Sequence, residues 1–192
     1  MARVPYVDSE SFAGDRDLLE TSMDPDALPE AYRDRFSTGT IRVHRAVGNN
    51  PELLGGFREW NATTWHESRL SERERELTIL ASARANGSRY EWHQHVRHGL
   101  SVGLTPAEIR AVGRREYEAF PEREAALLAY ATATAEGAVD DDTFDRVAAA
   151  FDRERVVGAT MLVGSYSGLA RSLDAMGVEP EEAFVGWELE EL

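Results

Sequence analysis

The amino-acid sequence predicts an all-α fold in a single domain. Apolar residues recur at the helical spacing of 3.6 residues along most of the chain, and no segment keeps the strict alternation of a β-strand. Gly, Pro, Asn and Asp residues separate these helical patterns. The 192 residues contain no internal linker, and a hydrophobic content of 42% is sufficient for one core.

The chain is expected to open with an irregular N-terminal arm over residues 1–28, which are rich in Asp, Ser and Pro and show little periodicity. A helical domain over residues 29–192 is expected to follow. Its predicted helices, in chain order, cover residues 29–35, 41–47, 51–63, 71–86, 88–102, a short segment that begins at Thr105, and residues 121–136, 140–151 and 155–176.

Helix boundaries in the first half of the chain are marked by capping residues. Pro51 follows two asparagines and suits the first turn of a helix. Ser71 and Glu74 have the spacing of a capping box, in which each side chain bonds the backbone of the other residue. The Asn86-Gly87 pair ends that helix, and the next one runs to Gly103, so two antiparallel helices with a short link are predicted.

The second half of the chain shows the same kinds of signal. Thr105 and Pro106, followed by Glu108, begin a short helix. Pro121 begins the next helix and Gly137 ends it. Residues 140–142 are aspartates that can cap another helix, and the last helix is long and mostly apolar.

Composition excludes several kinds of chemistry. The chain has no cysteine, so disulfides, thiolate metal sites and thiol peroxidase chemistry are impossible. All 21 basic residues are arginines, and the absence of lysine excludes Schiff-base catalysis by a lysine amine. No cofactor is expected.

The net charge of the chain indicates which partners it can bind and the kind of organism it comes from. With 35 acidic residues the net charge is −14, which disfavours binding to nucleic acid and suggests a halophilic source. No apolar run approaches the roughly 20 residues that span a bilayer, and the first ten residues do not resemble a signal peptide. We therefore expect a cytoplasmic protein that does not bind a membrane.

The residues most suited to catalysis lie between Ser71 and Ile109. Glu91 and His95 are four residues apart on a predicted helix and share one face, while Glu76 can reach them from the preceding helix. A carboxylate beside an imidazole orients the ring and raises its pKa toward neutral pH, which suits proton transfer. The alternative is that Glu91 and His95 form an ordinary surface pair.

A metal site is a second use of the same side chains. His95, Glu91 and Glu76 could together supply three ligands. However, the H-E-x-x-H spacing is missing, and the rings of His93 and His95 point about 200° apart around a helix. We expect no bound metal, and His93 and His98 are expected to lie away from His95.

The stretch RERELTILASARANGSRYEWHQHVRHGLSVGLTPAEI, with the later GSYSGLARSLDAMGV, resembles the carboxymuconolactone decarboxylase family, which includes the alkyl hydroperoxidase D proteins. The resemblance covers roughly residues 30 to 180. It implies an alkyl hydroperoxidase D-like helical bundle that assembles as a homo-oligomer, a trimer or a hexamer.

The peroxidase branch of the family uses a glutamate, a Cys-x-x-Cys pair and a histidine. The positions that match this pattern hold Glu76, Ser88, Glu91 and His95, so the acid and the histidine are present and both cysteines are replaced. Serine and glutamate cannot cycle between thiol and disulfide, so a peroxidase label would have no chemical support here. The chain is therefore similar to the decarboxylase branch, in which a histidine of this helix serves acid–base chemistry.

These observations predict cofactor-free acid–base chemistry on a small carboxylated or lactone-type substrate, a lyase reaction if the protein is an enzyme. The candidate catalytic residues are His95, which would move the proton, Glu76, which would hold the ring of His95, and Glu91. The candidate substrate-binding residues are Trp92, Arg97 and Tyr90, and the favoured alternative for Trp92 and Tyr90 is packing in the core or at a subunit interface. Arg89 is another candidate for binding a carboxylate, and Trp60, Trp65 and His66 could form a pocket wall. The alternative from another class is a non-catalytic binding or assembly protein on the same scaffold.

Overall fold

The structure is a computed structural model that describes residues 2–20, 25–36 and 39–192. Parts of the predicted N-terminal arm, residues 1 and 21–24, lie outside the described residues. The α-helices are α1 Arg42–Val47, α2 Pro51–Glu67, α3 Glu72–Asn86, α4 Arg89–Ser101, α5 Pro106–Arg114, α6 Glu122–Glu136, α7 Asp141–Ala150 and α8 Arg153–Met176. The described part of the chain contains no β-strand, so the prediction of an all-α, single-domain fold is confirmed.

Helix α3 is the centre of the fold. Its residues from Arg75 to Ala83 are all buried, and it packs against α4, α5, α6 and α8. A helix that is buried on every side needs partners on every side, and this one separates two hydrophobic clusters. Leu77 and Leu80 face the cluster around Trp92, whereas Ile79 faces the cluster around Tyr166.

The ends of α3 are as the sequence indicates. Ser71 and Glu74 form both bonds of the capping box. At the other end Gly87 has a φ of 66°, a left-handed conformation that a residue with a β-carbon adopts only at a cost. Ser88 then caps α4, so α3 and α4 form a helical hairpin with a two-residue link.

Two predicted elements differ in detail from the structure. The predicted helix over 29–35 is a 3₁₀ helix, Glu30–Arg35, and α2 continues to Glu67 beyond its predicted end. Two further 3₁₀ helices, Arg16–Leu19 and Pro25–Ala27, lie in the segment that was expected to be irregular. The buried Leu19 and Phe12 pack with Leu54 of α2.

Residues 177–192, which we call the C-terminal strap, contain no regular helix and lie across α4. Trp92 donates a hydrogen bond from Nε1 to the carbonyl oxygen of Gly186 at 2.9 Å. Gln94 donates from Nε2 to Glu181 at 2.5 Å, and His93 is 2.9 Å from Glu182. The strap therefore fixes the first two turns of α4 from outside the helical bundle.

None of the helices within the described residues is both long and apolar enough to cross a membrane.

Close packing at α8 gives a first prediction. Gly158 of α8 faces the backbone of Ser68, and a β-carbon there would lie 2.1 Å from the Ser68 carbonyl oxygen. Gly158→Ala should therefore lower the free energy of unfolding by roughly 2–4 kcal/mol, as measured by urea denaturation.

Gly164 of the same helix is the matched control, because a β-carbon there would meet nothing within 4 Å. Gly164→Ala should raise the free energy of unfolding by about 0.5–1 kcal/mol through its better helix propensity. Equal effects of the two substitutions would contradict the close approach of α8 to Ser68.

Candidate active site

The helical hairpin brings the side chains of Glu76 and His95 into contact. Glu76 lies on α3 and His95 lies on α4, and both residues are buried. The Glu76 Oε2 and His95 Nδ1 atoms are 2.7 Å apart. The Glu76 side chain is completely buried and that of His95 is 8% exposed. This is a dyad of two titratable groups in an interior that gives ions little solvation.

A cavity of about 390 Å³ lies beside the dyad, between α2, α4 and α8, with α1 at one end. His95 lines it, together with Glu91, Gln94 and His98 from the same face of α4. The side chains that face them come from α1, α2 and α8 and include His44, Phe57, Arg58, Trp65, Tyr166 and Leu169. The dyad therefore has access to a space large enough for a small organic molecule.

Four rings surround the cavity next to the dyad. The His95 ring centre is 5.0 Å from that of Tyr166, with the planes at 81°, and 5.3 Å from that of His98. Trp65 is 5.8 Å from His95 and 5.7 Å from His98. On the other side of Trp65 lies Arg75, whose guanidinium carbon is 4.2 Å from the ring centre.

Burial shifts the pKa values of the dyad in opposite directions. It raises the pKa of Glu76 to about 7 and lowers that of His95 to about 3, because each charged form loses its hydration. The favoured state thus has a protonated Glu76 and a neutral imidazole. In that state the Glu76 hydroxyl donates to Nδ1, and the imidazole proton is on Nε2.

The remaining acids and bases of the cavity are also shifted toward their neutral forms. Burial raises the pKa of Glu91 to about 8 and outweighs the nearby Ser88 hydroxyl, which favours the charged form. It lowers the pKa of His98 to about 3 and that of His44 to about 4. The pKa of Tyr166 is well above its ordinary value, first through burial and then through the charges of Glu76 and Glu91.

Glu76, the residue expected to hold the His95 ring, is the hydrogen-bond partner of His95. Glu91 lines the cavity from the same face of α4 as His95 and does not bond to it. The predicted rise in the pKa of His95 is wrong, because burial lowers that pKa and the charges of Arg97 and Arg75 lower it further. The prediction that His98 lies away from His95 is also wrong, since their rings are in contact.

The three candidate substrate-binding residues have different positions. Trp92 is fully buried in the core against Trp187 and does not line the cavity, so it packs in the core and is not a substrate-binding residue of this cavity. Tyr90 lines the cavity, and its hydroxyl donates to Glu181 at 2.9 Å and accepts from the backbone N–H of Val43 at 3.0 Å.

Arg97 also lines the cavity and is 3% exposed. Burial lowers its pKa, and the charges of Glu181 and Glu182 oppose that shift. Arg89, in contrast, stacks on Phe184 at 4.6 Å and lines a separate cavity beside the C-terminal strap.

The structure also places other side chains. Trp65 and His66 line the cavity, whereas Trp60 does not. His93 is fully buried beside Glu182 on another face of α4. Among the described residues no group of three or more His, Asp or Glu side chains has the arrangement of a metal site. Glu76, Glu91 and His95 are therefore not arranged as a ligand set.

Sequence reasoning missed Tyr166. It occupies the centre of the GSYSG stretch of α8. The structure shows open space at Gly164 and Gly168, and it is Tyr166 that faces α4. A signal was present, because Tyr166 falls in the buried 3.6-residue stripe of α8 with Ala159, Leu162, Val163, Ala170 and Leu173.

Comparisons with known proteins agree with this fold. Residues 51–133 match the model of the carboxymuconolactone decarboxylase family. This segment is similar to the family that the sequence resembles, and the described chain has no cysteine for a redox pair. The matched segment extends from the start of α2 into α6 and includes both residues of the dyad.

Three solved structures share the fold. One is a protein of unknown function from Agrobacterium tumefaciens that has been suggested to be an antioxidant defence protein AhpD, with 24% identity, a TM-score of 0.65, and coverage of 70% of this chain and 94% of that one. The debrominase Bmp8 in its apo form has 20% identity, a TM-score of 0.71, and coverage of 80% and 83%.

The third is the alkylhydroperoxidase AhpD core of an uncharacterized peroxidase-related protein from Ralstonia eutropha JMP134, with 18% identity, a TM-score of 0.68, and coverage of 88% and 96%. No curated protein matches the chain. Identities at this level support a shared fold and do not identify a substrate.

The buried histidines predict that the protein loses stability in acid. In the unfolded chain a histidine takes up a proton near pH 6.5, but in the folded protein His44 does so only near pH 4, and His95 and His98 near pH 3. Each of these histidines should therefore lower the free energy of unfolding as the pH decreases from about 6.5 toward 4, by up to about 1.4 kcal/mol per pH unit. Glu76 and Glu91 act in the opposite direction down to about pH 4.5, because the folded protein binds their protons more readily than the unfolded chain, so the net decrease should be steepest below that pH.

Urea denaturation at a series of pH values measures this dependence. His98→Asn should reduce the slope by up to about 1.4 kcal/mol per pH unit, because one histidine fewer takes up a proton on unfolding. An identical slope in the wild type and this variant would show that His98 is not held neutral in the folded protein.

Proposed function

We propose that the protein catalyses cofactor-free acid–base chemistry on a small carboxylated or lactone-type substrate, and that His95 transfers the proton. The observation that carries this proposal is the buried 2.7 Å contact between Glu76 and His95 beside a cavity. A titratable pair with perturbed pKa values in a cleft is the usual setting of a general acid or base.

The dyad can move a proton without forming a lasting buried ion. When Glu76 is ionised, its carboxylate accepts from Nδ1–H, and Nε2 has a free lone pair that can remove a proton from a substrate. As Nε2 takes that proton, the proton on Nδ1 moves to Glu76, and the imidazole is neutral again. The same steps in reverse deliver a proton, so the dyad serves as base and acid in one cycle.

The walls of the cavity support an anionic substrate. Arg58, Arg75 and Arg97 line it, in a protein whose net charge is −14. With Glu91 and the histidines held neutral, the arginines outnumber the anionic groups of the lining, of which Glu72 is one. A carboxylate is the natural partner of such a wall, because guanidinium groups bind it through charged hydrogen bonds.

Two other functions are less well supported. Thiol peroxidase chemistry has no nucleophile in a chain without cysteine. A non-catalytic scaffold protein is expected to have an apolar, closed pocket, whereas this cavity has several buried polar groups in its wall. Keeping such groups away from water is costly unless a ligand uses them.

His95→Gln should reduce turnover at least 100-fold, because the variant has no titratable nitrogen at this position. The measurement begins with calorimetric binding to a panel of small carboxylates and carboxylated lactones in molar salt, with metal content determined on the same samples. Turnover of the molecules that bind is then compared between the wild type and the variant. Circular dichroism should show an unchanged fold.

Two variants serve as controls for this experiment. Asp145→Asn, at an exposed position on α7 away from the cavity, should keep full turnover. Glu76→Gln should bind ligand and still lose turnover, because the amide holds His95 in one tautomer and cannot accept the relayed proton. Full activity of His95→Gln would refute the proposal, and stoichiometric metal in active samples would favour a metalloenzyme.

We also propose that the protein is a homo-oligomer from a salt-adapted source. The acidic composition supports the second statement. Large apolar side chains on the outer faces of α2 and α8 support the first: Leu53, Trp60, Val157 and Met161 are 64%, 44%, 61% and 45% exposed.

Light scattering in molar salt should give the mass of a trimer or a hexamer of the 21.4 kDa chain. Val157→Glu should reduce that mass, because it would place a charge in the apolar face. Replacement of the exposed acidic Asp174 by Asn is the control on the same helix. A monomer mass for the wild type would refute the oligomer.

A further inference from the structure

The cavity contains an acid whose role the dyad does not explain. The Glu91 side chain points into the cavity from α4 and the residue is 2% exposed. Both of its carboxyl oxygens are buried and neither makes a hydrogen bond of good geometry, although the Ser88 hydroxyl lies nearby; this is costly for a polar group in a protein interior. A group of this kind beside a cavity indicates a bound ligand.

Gln94, on the same face of α4, also has an unused polar atom. Its Nε2 is committed to Glu181 of the C-terminal strap at 2.5 Å, which fixes the amide plane. Its Oε1 is buried without a partner, and the residue lines the same cavity. Glu91, Gln94 and His95 therefore present one polar stripe to a ligand.

Tyr166 faces this stripe from α8. It lines the cavity, is 3% exposed, and lies close enough to Glu76 and Glu91 for both of their charges to oppose ionisation of its hydroxyl. Its ring packs against the ring of His95 with centres 5.0 Å apart. The phenol of Tyr166 can thus donate a hydrogen bond from the cavity wall beside His95.

The rings of the cavity favour a flat ligand. Four pairs of rings are in contact, with their centres 5.0–5.8 Å apart. These pairs are Trp65 with His95, Trp65 with His98, His95 with His98, and His95 with Tyr166. Aromatic walls bind planar conjugated molecules through offset and edge contacts. Arg75 behind Trp65 adds a positive charge to that wall.

We propose that the carboxyl group of Glu91 and the hydroxyl of Tyr166 are paired hydrogen-bond donors for the oxygen atom of a flat, conjugated oxyanion of the enolate or phenolate class, bound against His95. This inference rests on the proposed function only for the role of His95. Removal of a proton from the substrate would create a negative charge on this oxygen atom, and Glu91 and Tyr166 would stabilise that charge.

The binding part of the proposal includes no covalent step. Glu91 keeps its proton and donates it to the ligand oxygen, and Tyr166 does the same. Burial supports this protonation state, since it raises the pKa of Glu91 to about 8. Above that pH the Glu91 carboxylate would repel an oxyanion.

The test uses para-nitrophenolate, a flat oxyanion whose absorption spectrum differs from that of its phenol. Its binding to the full-length protein in molar salt is measured by absorbance titration and calorimetry at neutral pH. Glu91→Gln keeps a hydrogen-bond donor and should bind within roughly three-fold of the wild type. Glu91→Leu and Tyr166→Phe each remove a donor and should bind roughly ten-fold or more weakly.

The pH dependence of oxyanion affinity shows whether Glu91 acts as a hydrogen-bond donor or as a base. The wild type should lose affinity for the oxyanion as the pH rises above about 8, and Glu91→Gln should not, because its amide does not ionise. Infrared spectroscopy at neutral pH should show a carboxylic acid carbonyl band that is present in Glu76→Ala, where the acid of Glu76 is removed, and absent from the double variant Glu76→Ala with Glu91→Gln. Circular dichroism checks the fold of every variant.

Several results would overturn the proposal. These are a Glu91→Gln variant as weak as Glu91→Leu, a Glu91→Leu variant that binds like the wild type, or no binding of the oxyanion to the wild type. The His95→Gln variant keeps this outcome separate from the proposed function. Oxyanion binding that survives in His95→Gln, together with unchanged turnover, would refute proton transfer by His95 and leave the oxyanion site in place.

Discussion

The hydrogen bond between Glu76 and His95 constrains the whole arrangement around it. It joins two helices at a depth where neither charge is well solvated, so both groups are held near their neutral forms. That depth exists because α3 is enclosed by four other helices. If α3 were a surface helix, Glu76 would be an ordinary carboxylate and His95 an ordinary imidazole, and the pair would have no unusual proton affinity.

The cavity depends on the same enclosure. Helices α2 and α8 approach α4 closely enough to supply Trp65 and Tyr166, and the turn after α2 is pressed against Gly158 of α8. The shape of the cavity and the burial of the dyad are therefore set by the packing of helices that are distant in the sequence. The family match over residues 51–133 covers the dyad but leaves out α8, which supplies one wall of the cavity.

Local features of the structure were predictable from the sequence, and contacts between distant segments were not. The limits of α3 follow from Ser71, Glu74 and Gly87, because caps and left-handed turns depend on neighbouring residues. The four-residue spacing of Glu91 and His95 places them on one helix face, but it does not say which of them meets Glu76. That choice depends on how α3 and α4 are rotated against each other, which is a property of the packed hairpin.

Long-range contacts also explain the errors on individual side chains. The pKa of His95 was expected to rise because a carboxylate was expected nearby, yet burial depth decides the direction and sequence spacing does not report it. Trp92 was a candidate substrate-binding residue, but in the structure its N–H donates a hydrogen bond to the C-terminal strap, which covers its side chain. Tyr166 had no neighbour in the sequence to suggest that it would meet His95.

The C-terminal strap has a consequence for how this site comes together. Its contacts with Gln94, Tyr90 and the backbone of Arg42 join residues that are 87, 91 and 139 positions apart. The α3–α4 hairpin closes over a short loop, whereas the strap closes only after most of the chain has been ordered. Gln94 of the polar stripe is thus held by a contact between residues that are far apart in the sequence. Opening of the strap alone would release Gln94 and His93 while α3 stayed folded. Such an opening would be a sub-global fluctuation, and amide hydrogens on the two sides of α4 would exchange with solvent at different rates.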